Sequence, residues 1–492
     1  MCSRDPHLQV SHGVPREITH RHTLLMRVSL FLFPLLLFVA LSFSSFTVVR
    51  SDSPPDSIAL TSLRTYLQLD TSQPRPHYRR AITFLRRLCR DAGIPHFEQF
   101  QFVRGRLGCV CTLPGRNRSL ASVVLNSHID VVPVEAAAWT VAPPFSAAVV
   151  NGSVYARGSQ DMKTQGIQYV EALRRTLQAQ PSPYLRTVHV LFVPDEEIGG
   201  KAGMGQVVQS TLWRDRLRPG VLIDECLPDE RDGVYKLCYG ERQPWWTVIR
   251  TRGAPGHGGT LPRDTAIQRI HAVMARISAF REAQREAVET GAQALGDVVG
   301  VNFVHIGSHG TDGAMNIIPG NAELRLDIRV PPHLNESAMY TLLEQWMGGP
   351  CHFHSSVAGR CLNGTFDIEF PHKVIAPYRE SLDADAPGPY RALRTAAARQ
   401  SARLDPIIFP MSTDSRYVRH RGIPAFGLTA LDGVRSGPLL HQHNENVPLD
   451  AFERGIRLFQ AVIDQLANDA EWRASVDTAP EDSSTATAHA EL

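Results

Sequence analysis

Apolar residues recur along this chain in two alternating periods. From 75 to 92 they stand at Tyr78, Ile82, Leu85 and Leu88, the spacing of one helix face. Short apolar runs bounded by turn residues follow at 121–126, 187–193 and 220–223, each the length of a buried strand. Between the first two, 164–179 reads as a helix through Ile167, Val170, Leu173 and Leu177. Buried strands alternating with helices predict an α/β unit with a mixed, mainly parallel sheet flanked by helices.

The pattern changes near Trp245. Residues 246–252 read as a strand, and 264–280 as a helix through Ile267, Ile270, Met274 and Ile277. A strand at 299–305 follows, then 323–330 with Leu324, Leu326, Ile328 and Val330 in strict alternation, a helix at 336–347 and a closing strand at 366–370. That order, βαββαβ, predicts a ferredoxin-like domain over 245–371 inserted into the first unit, which it divides into 51–244 and 372–468. The α/β pattern resumes with 389–401, 406–409, 423–429 and a helix at 450–467. Residues 469–492 are small and polar and predict a disordered tail.

Before all of this, residues 28–43 form an uncharged apolar run between Arg27 and Arg50. Its length falls short of the about 20 residues of a spanning helix and suits the apolar region of a signal peptide within a leader over 1–50. An uncleaved signal anchor also fits if the run continues through Val49, and a membrane contact is expected only in that case. The expectation is the secretory pathway, lumenal, secreted or anchored. A cytoplasmic protein follows instead if the leader reflects a misassigned start. Four N-x-Ser/Thr sequons, at Asn117, Asn151, Asn335 and Asn363, are compatible with the secretory route, although such short motifs also arise by chance.

Composition adds exclusions. The 492 residues carry 51 Lys+Arg against 49 Asp+Glu, a net charge of +2, so no basic surplus argues for nucleic acid. With 43% hydrophobic and 20% charged residues the chain can build large cores. Of the eight cysteines, Cys351 and Cys361 are the best candidates for a bridge, and most of the rest read as buried thiols.

Candidate chemistry gathers where strands end. His128 and Asp130 follow one strand, Asp195, Glu196 and Glu197 another, and Asp224-Glu225 a third. Asp161 precedes a helix, and His441 and His443 lie in a late loop. Singly, each has a bland reading: a loop histidine, a helix N-cap, a solvated acidic turn. Together, at the end of a sheet where α/β proteins place ligands, imidazoles and carboxylates make a Zn²⁺ donor set, with Mn²⁺ or Co²⁺ as substitutes. The supply suits two metals bridged by one carboxylate.

The segments NSHIDVVPV, YARGSQDMK, FVPDEEIGG, LIDE, PWW with RGAPGH, NIIPG, STDSRYVR and LLHQHNE, in order from about residue 60 to 465, resemble the aminoacylase-1 family. It sits among the di-zinc metallopeptidases with acetylornithine deacetylase, succinyl-diaminopimelate desuccinylase and glutamate carboxypeptidase. The resemblance implies a zinc-peptidase-like catalytic domain, an inserted lid and dimerisation domain, and two Zn²⁺ per subunit. Asp161 would bridge them, with His128 and Glu225 on one metal and Glu197 and His441 on the other. Asp224 stays open beside Glu225, and His443 beside His441. Glu196 would be the general base, Asp130 would orient His128, and His257 would reach the partner subunit's site in a homodimer and stabilise the oxyanion. Arg416, Asn316 and Arg329 are candidates for the substrate carboxylate. The implied activity is that of an aminoacylase: metal-dependent hydrolysis of N-acyl-L-amino acids to a carboxylate, typically acetate, and a free amino acid, by a metal-activated water. A dipeptidase or carboxypeptidase, or a long-chain N-acyl-amino-acid hydrolase or synthase, is the alternative.

Overall fold

The structure is a computed structural model that describes residues 57–308, 314–355, 357–374 and 378–472. The leader with its apolar run, and the tail from 473, lie outside the described residues. Among the described residues no helix is long and apolar enough to cross a membrane.

An eight-stranded sheet organises the first unit. Its strands run in the order His96–Val103, Arg106–Leu113, Val188–Val193, Ser122–His128, Pro219–Asp224, Ala425–Leu428, Val234–Glu241 and Arg403–Phe409. Four of its seven pairings are parallel, three of them adjacent at the centre and the fourth at the Arg403–Phe409 edge, so the sheet is mixed. Valines, leucines and isoleucines on Ser122–His128, Val188–Val193 and Pro219–Asp224 are buried on both faces, as expected for strands covered on both sides. One face packs on the helices Ile58–Leu67, Tyr78–Asp91, Lys163–Ala179 and Leu449–Asn468; the other packs on residues 204–217 and Val418. Helix Lys163–Ala179 departs from its amphipathic reading: everything from Lys163 to Leu173 is buried, because the helix lies between the sheet and Leu449–Asn468.

The inserted region forms a separate six-stranded antiparallel sheet, ordered Gly300–Gly307, Asn321–Val330, Gln243–Arg252, Phe366–Lys373, Ala358–Cys361 and Cys351–Ser355. Its first four strands have the ferredoxin-like order, and the hairpin of the last two extends it beyond the predicted βαββαβ. Ala322, Leu324, Leu326, Ile328 and Val330 face the helices Ala266–Glu289 and Glu336–Met347. A capping box of Thr265 and Gln268 starts the first helix. It buries Ala266, Ile270, Val273 and Ile277, while Ile267, expected in the core, is exposed.

Two further expectations are corrected. Among the described residues six cysteines pair as Cys89–Cys111, Cys226–Cys238 and Cys351–Cys361, and Cys109 is a buried free thiol, so these cysteines are mostly bridged. Sequence spacing hides the first two bridges because each joins elements that only the fold brings together. The polar tail also begins later than 469. Trp472 is buried, its ring 3.8 Å beneath the Arg186 guanidinium, whose Nη2 donates to the Trp472 carbonyl at 2.6 Å.

Candidate active site

Three neighbouring strands deliver the acidic and imidazole groups. Ser122–His128 lies between Val188–Val193 and Pro219–Asp224 and runs parallel to both. Their carboxyl ends therefore place His128, the 195–197 turn and Glu225 side by side. Asp161 arrives from the start of helix Lys163–Ala179, through a cis peptide bond to Met162.

These groups form two sets that share Asp161: His128, Asp161 and Glu225, and Asp161, Glu197 and His441. His128 Nε2 is 2.9 Å from Asp161 Oδ1 and 3.7 Å from Glu225 Oε2. His441 Nε2 is 3.3 Å from Asp161 Oδ2 and 3.0 Å from Glu197 Oε2. Within each set the donor atoms lie within 4.8 Å of one another. Glu225 rather than Asp224 takes part, because Asp224 turns to Asn126 Nδ2 at 3.0 Å and Ser415 Oγ at 2.7 Å. His441 rather than His443 takes part. Two imidazoles and three carboxylates, one of them shared, are a fitting donor set for two divalent cations.

Without cations the cluster is electrostatically frustrated. Burial opposes a charged His128, yet Glu225 and Asp161 carry its pKa well above the usual histidine value. Hydrogen bonds to Asp161 and Glu197 push His441 up to about 10. Burial and the nearby Asp161 charge push Glu197 up to about 7. Burial, then Glu225 and Asp414, raise Glu196 well above the ordinary carboxylate range.

Buried polar groups hold the loops in place. Asp195, in the left-handed region with φ 66°, accepts from Tyr78 Oη at 2.6 Å and Gln73 Nε2 at 3.1 Å, and pairs with Arg106 Nε at 2.8 Å. Asp130 accepts from Gln73 at 2.8 Å and from the main-chain N–H of Glu196 at 3.2 Å and Glu197 at 3.3 Å. Nδ1 of His128 meets the main-chain carbonyl of Asp130 at 2.8 Å, whereas the Asp130 carboxylate lies 3.9 Å away. Glu445 is wholly buried and gathers the Asp161 turn: it accepts from N–H groups of Gly158, Gln160 and Asp161 and pairs with Arg157 at 2.7 Å. Sequence reading placed Glu445 in a motif without a task; its only signal there was adjacency to the metal-loop histidine.

Arg416 is brought to the site, with Nη1 3.8 Å from Glu196 Oε1 and its guanidinium anchored by Thr413 O and Gly199 O. Arg329 grips Asp327 with two bonds, at 2.9 and 3.0 Å, and Nη1 lies 3.5 Å from Ser412 Oγ. His257 lies on strand Gly256–His257, which pairs with Ile317–Ile318, and Asn316 just precedes the latter, its carbonyl accepting from Gly258 N–H at 2.7 Å. Among the described residues no hydrogen bond or ion pair joins either to the two metal sets.

The sequence model described as peptidase family M20/M25/M40 matches residues 124–465. Mouse aminoacylase-1 is 36% identical over 424 residues, covering 86% of this chain and 98% of its own. A mouse N-fatty-acyl-amino acid synthase/hydrolase is 30% identical over 173 residues, 34% of each chain. Among solved structures, an M20 family metallo-carboxypeptidase from Sulfolobus solfataricus has the same fold, with a TM-score of 0.61 at 17% identity over 83% of this chain and 99% of that one. The chain belongs to peptidase family M20/M25/M40 and, within it, to the aminoacylase-1 family.

Proposed function

We propose that the protein hydrolyses the amide bond of N-acyl-L-amino acids. The observation that carries this reading is the pair of His–carboxylate sets sharing Asp161, with half-buried Glu196 close by. His128, Asp161 and Glu225 would hold one cation, and Asp161, Glu197 and His441 a second; the donors suit zinc, with manganese or cobalt as substitutes. When bound, such ions polarise a carbonyl and lower the pKa of water. Glu196 takes the proton of the attacking water, the carbonyl carbon gains the oxygen, and the C–N bond breaks. Glu196 then returns the proton to the leaving amine, as a carboxylic acid with a raised pKa can do. Asp130 keeps the base in place through the main chain of Glu196 and Glu197. Arg416 offers its fork to the substrate carboxylate. Arg329, already engaged with Asp327, and Asn316 are the further candidates for that carboxylate.

The inserted domain is the lid and the dimer interface in this reading. Strand Gly300–Gly307 is an unpaired sheet edge with Val304 66% and Ile306 50% exposed, and Leu261 and Met315 near His257 in sequence and fold are almost wholly exposed. A second copy covering them would let His257 act on the partner's substrate as an oxyanion donor. This reading puts the protein in the secretory pathway, and the three disulfides support it, because such bridges persist chiefly in oxidising compartments.

The test is amino acid release from N-acetyl-L-methionine by the purified chain, with dipeptides and N-oleoyl amino acids as comparison substrates. Release that chelator abolishes and Zn²⁺ restores is expected. Release indifferent to chelator, or confined to dipeptides or N-oleoyl substrates, would overturn the reading.

A further inference from the structure

Four sequons take no part in the chemistry above. We infer that Asn117, Asn151, Asn335 and Asn363 carry N-linked glycans, an inference that rests on the secretory reading. All four asparagines are exposed, and each stands where the chain changes direction. Asn117 lies between the strands Arg106–Leu113 and Ser122–His128, and Asn335 caps helix Glu336–Met347. Asn151 with Gly152 forms the turn joining Ala148–Val150 to Ser153–Tyr155, and Asn363 with Gly364 the turn between Ala358–Cys361 and Phe366–Lys373. Both pairs adopt positive φ, 48° and 76° in the first, 53° and 88° in the second, as Asn-Gly turns do. A Cβ built on either glycine would meet nothing within 4 Å, so both tips project into open space.

The atom to be modified is Nδ2, and its surroundings at these positions leave it accessible. Asn117 uses Oδ1 to accept from Ser119 N–H at 3.1 Å and Ser119 Oγ at 2.6 Å; Asn335 uses Oδ1 to accept from Ala338 N–H at 2.9 Å. Among the described residues, Nδ2 of none of the four donates to a protein group. Asn126, Asn444, Asn446 and Asn468, which stand outside sequons, each donate through Nδ2 to protein acceptors. Attachment forms a C–N bond from the anomeric carbon of a lipid-diphosphate-linked oligosaccharide to Nδ2. The anomeric C–O bond breaks, the lipid diphosphate leaves and one amide proton is lost. Oδ1 keeps its acceptor role, so the Asn335 cap and the Asn117 turn survive modification. No sequon falls on strand Gly300–Gly307 or on strand Gly256–His257.

The test expresses the full chain in mammalian cells and asks two questions of it. Protease protection in isolated microsomes reports the compartment. Peptide N-glycosidase in H₂¹⁸O converts each occupied asparagine to ¹⁸O-labelled aspartate, read peptide by peptide. Label at all four positions is expected, with Ser119→Ala, Ser153→Ala, Ser337→Ala and Thr365→Ala each removing one glycan; Ser337→Ala does so without touching the Asn335 cap. A protected chain with unlabelled asparagines at these positions overturns the inference and leaves the compartment standing. A chain found wholly in the cytosol overturns both.

Discussion

Glu196 and Glu197 are neighbours in sequence with different proposed tasks, and what separates them is direction. Glu197 turns to Asp161 and His441, while Glu196 faces Arg416 and the charges of Glu225 and Asp414. Glu196→Gln should therefore leave metal content unchanged and lower kcat by roughly 10²–10⁴-fold, the usual worth of a general base. Elemental analysis beside the turnover assay checks it, and retained turnover removes Glu196 from the mechanism. The titration of His441 makes a second expectation. In the metal-free chain its pKa, about 10, stands above the unfolded value, so its protonated pairing with Asp161 and Glu197 stabilises the fold below the unfolded pKa and fades as pH rises through about 10. A ligating imidazole must be neutral, so zinc uptake at pH 7 should release protons and tighten as pH rises. Calorimetry in buffers of different ionisation enthalpy reads this directly; an enthalpy independent of buffer would remove His441 from the ligand set. The ligand types and their order are legible in the sequence. The clamps Asp195 and Glu445 are not, because their partners Tyr78, Gln73, Arg106 and Arg157 come from distant segments.

Elements were legible where one face alone is buried. The alternation of 323–330 and the helix at 336–347 match the observed Asn321–Val330 and Glu336–Met347 closely, because a single apolar face imposes a clean period. The strands His96–Val103 and Arg106–Leu113 escaped notice. The first lies at the sheet edge and is largely exposed, and the second fills its buried positions with Cys109, Val110 and Cys111 around Gly108. Helix Ala266–Glu289 runs further than 280, through a charged and mostly exposed stretch that carries no apolar period. Helix Lys163–Ala179 was found, but not its burial. Gln165 and Gln168 are accommodated inside by donating to the carbonyls of Asp224, Ala430 and Phe452, contacts that no local pattern announces.

At the scale of the whole molecule the proposed dimer turns on Gly300–Gly307, an edge strand among the described residues, since an exposed edge with apolar side chains invites a second chain. Changing Val304 and Ile306 together to lysine should convert a dimer to a monomer in sedimentation and reduce turnover, because His257 would lose its partner's site. A monomeric variant with undiminished turnover would refute action across the interface. The sequence by itself determined the α/β class and the family, and through the family's motifs it named the candidate donor residues. Those follow from local period and from short motifs whose residue types the chemistry demands. Tertiary structure alone decided that the two donor sets meet at Asp161, that Glu225 rather than Asp224 joins one of them, and that six cysteines pair. Each of these depends on the separation of groups far apart in sequence, a quantity that strand order and packing create and that no spacing along the chain contains.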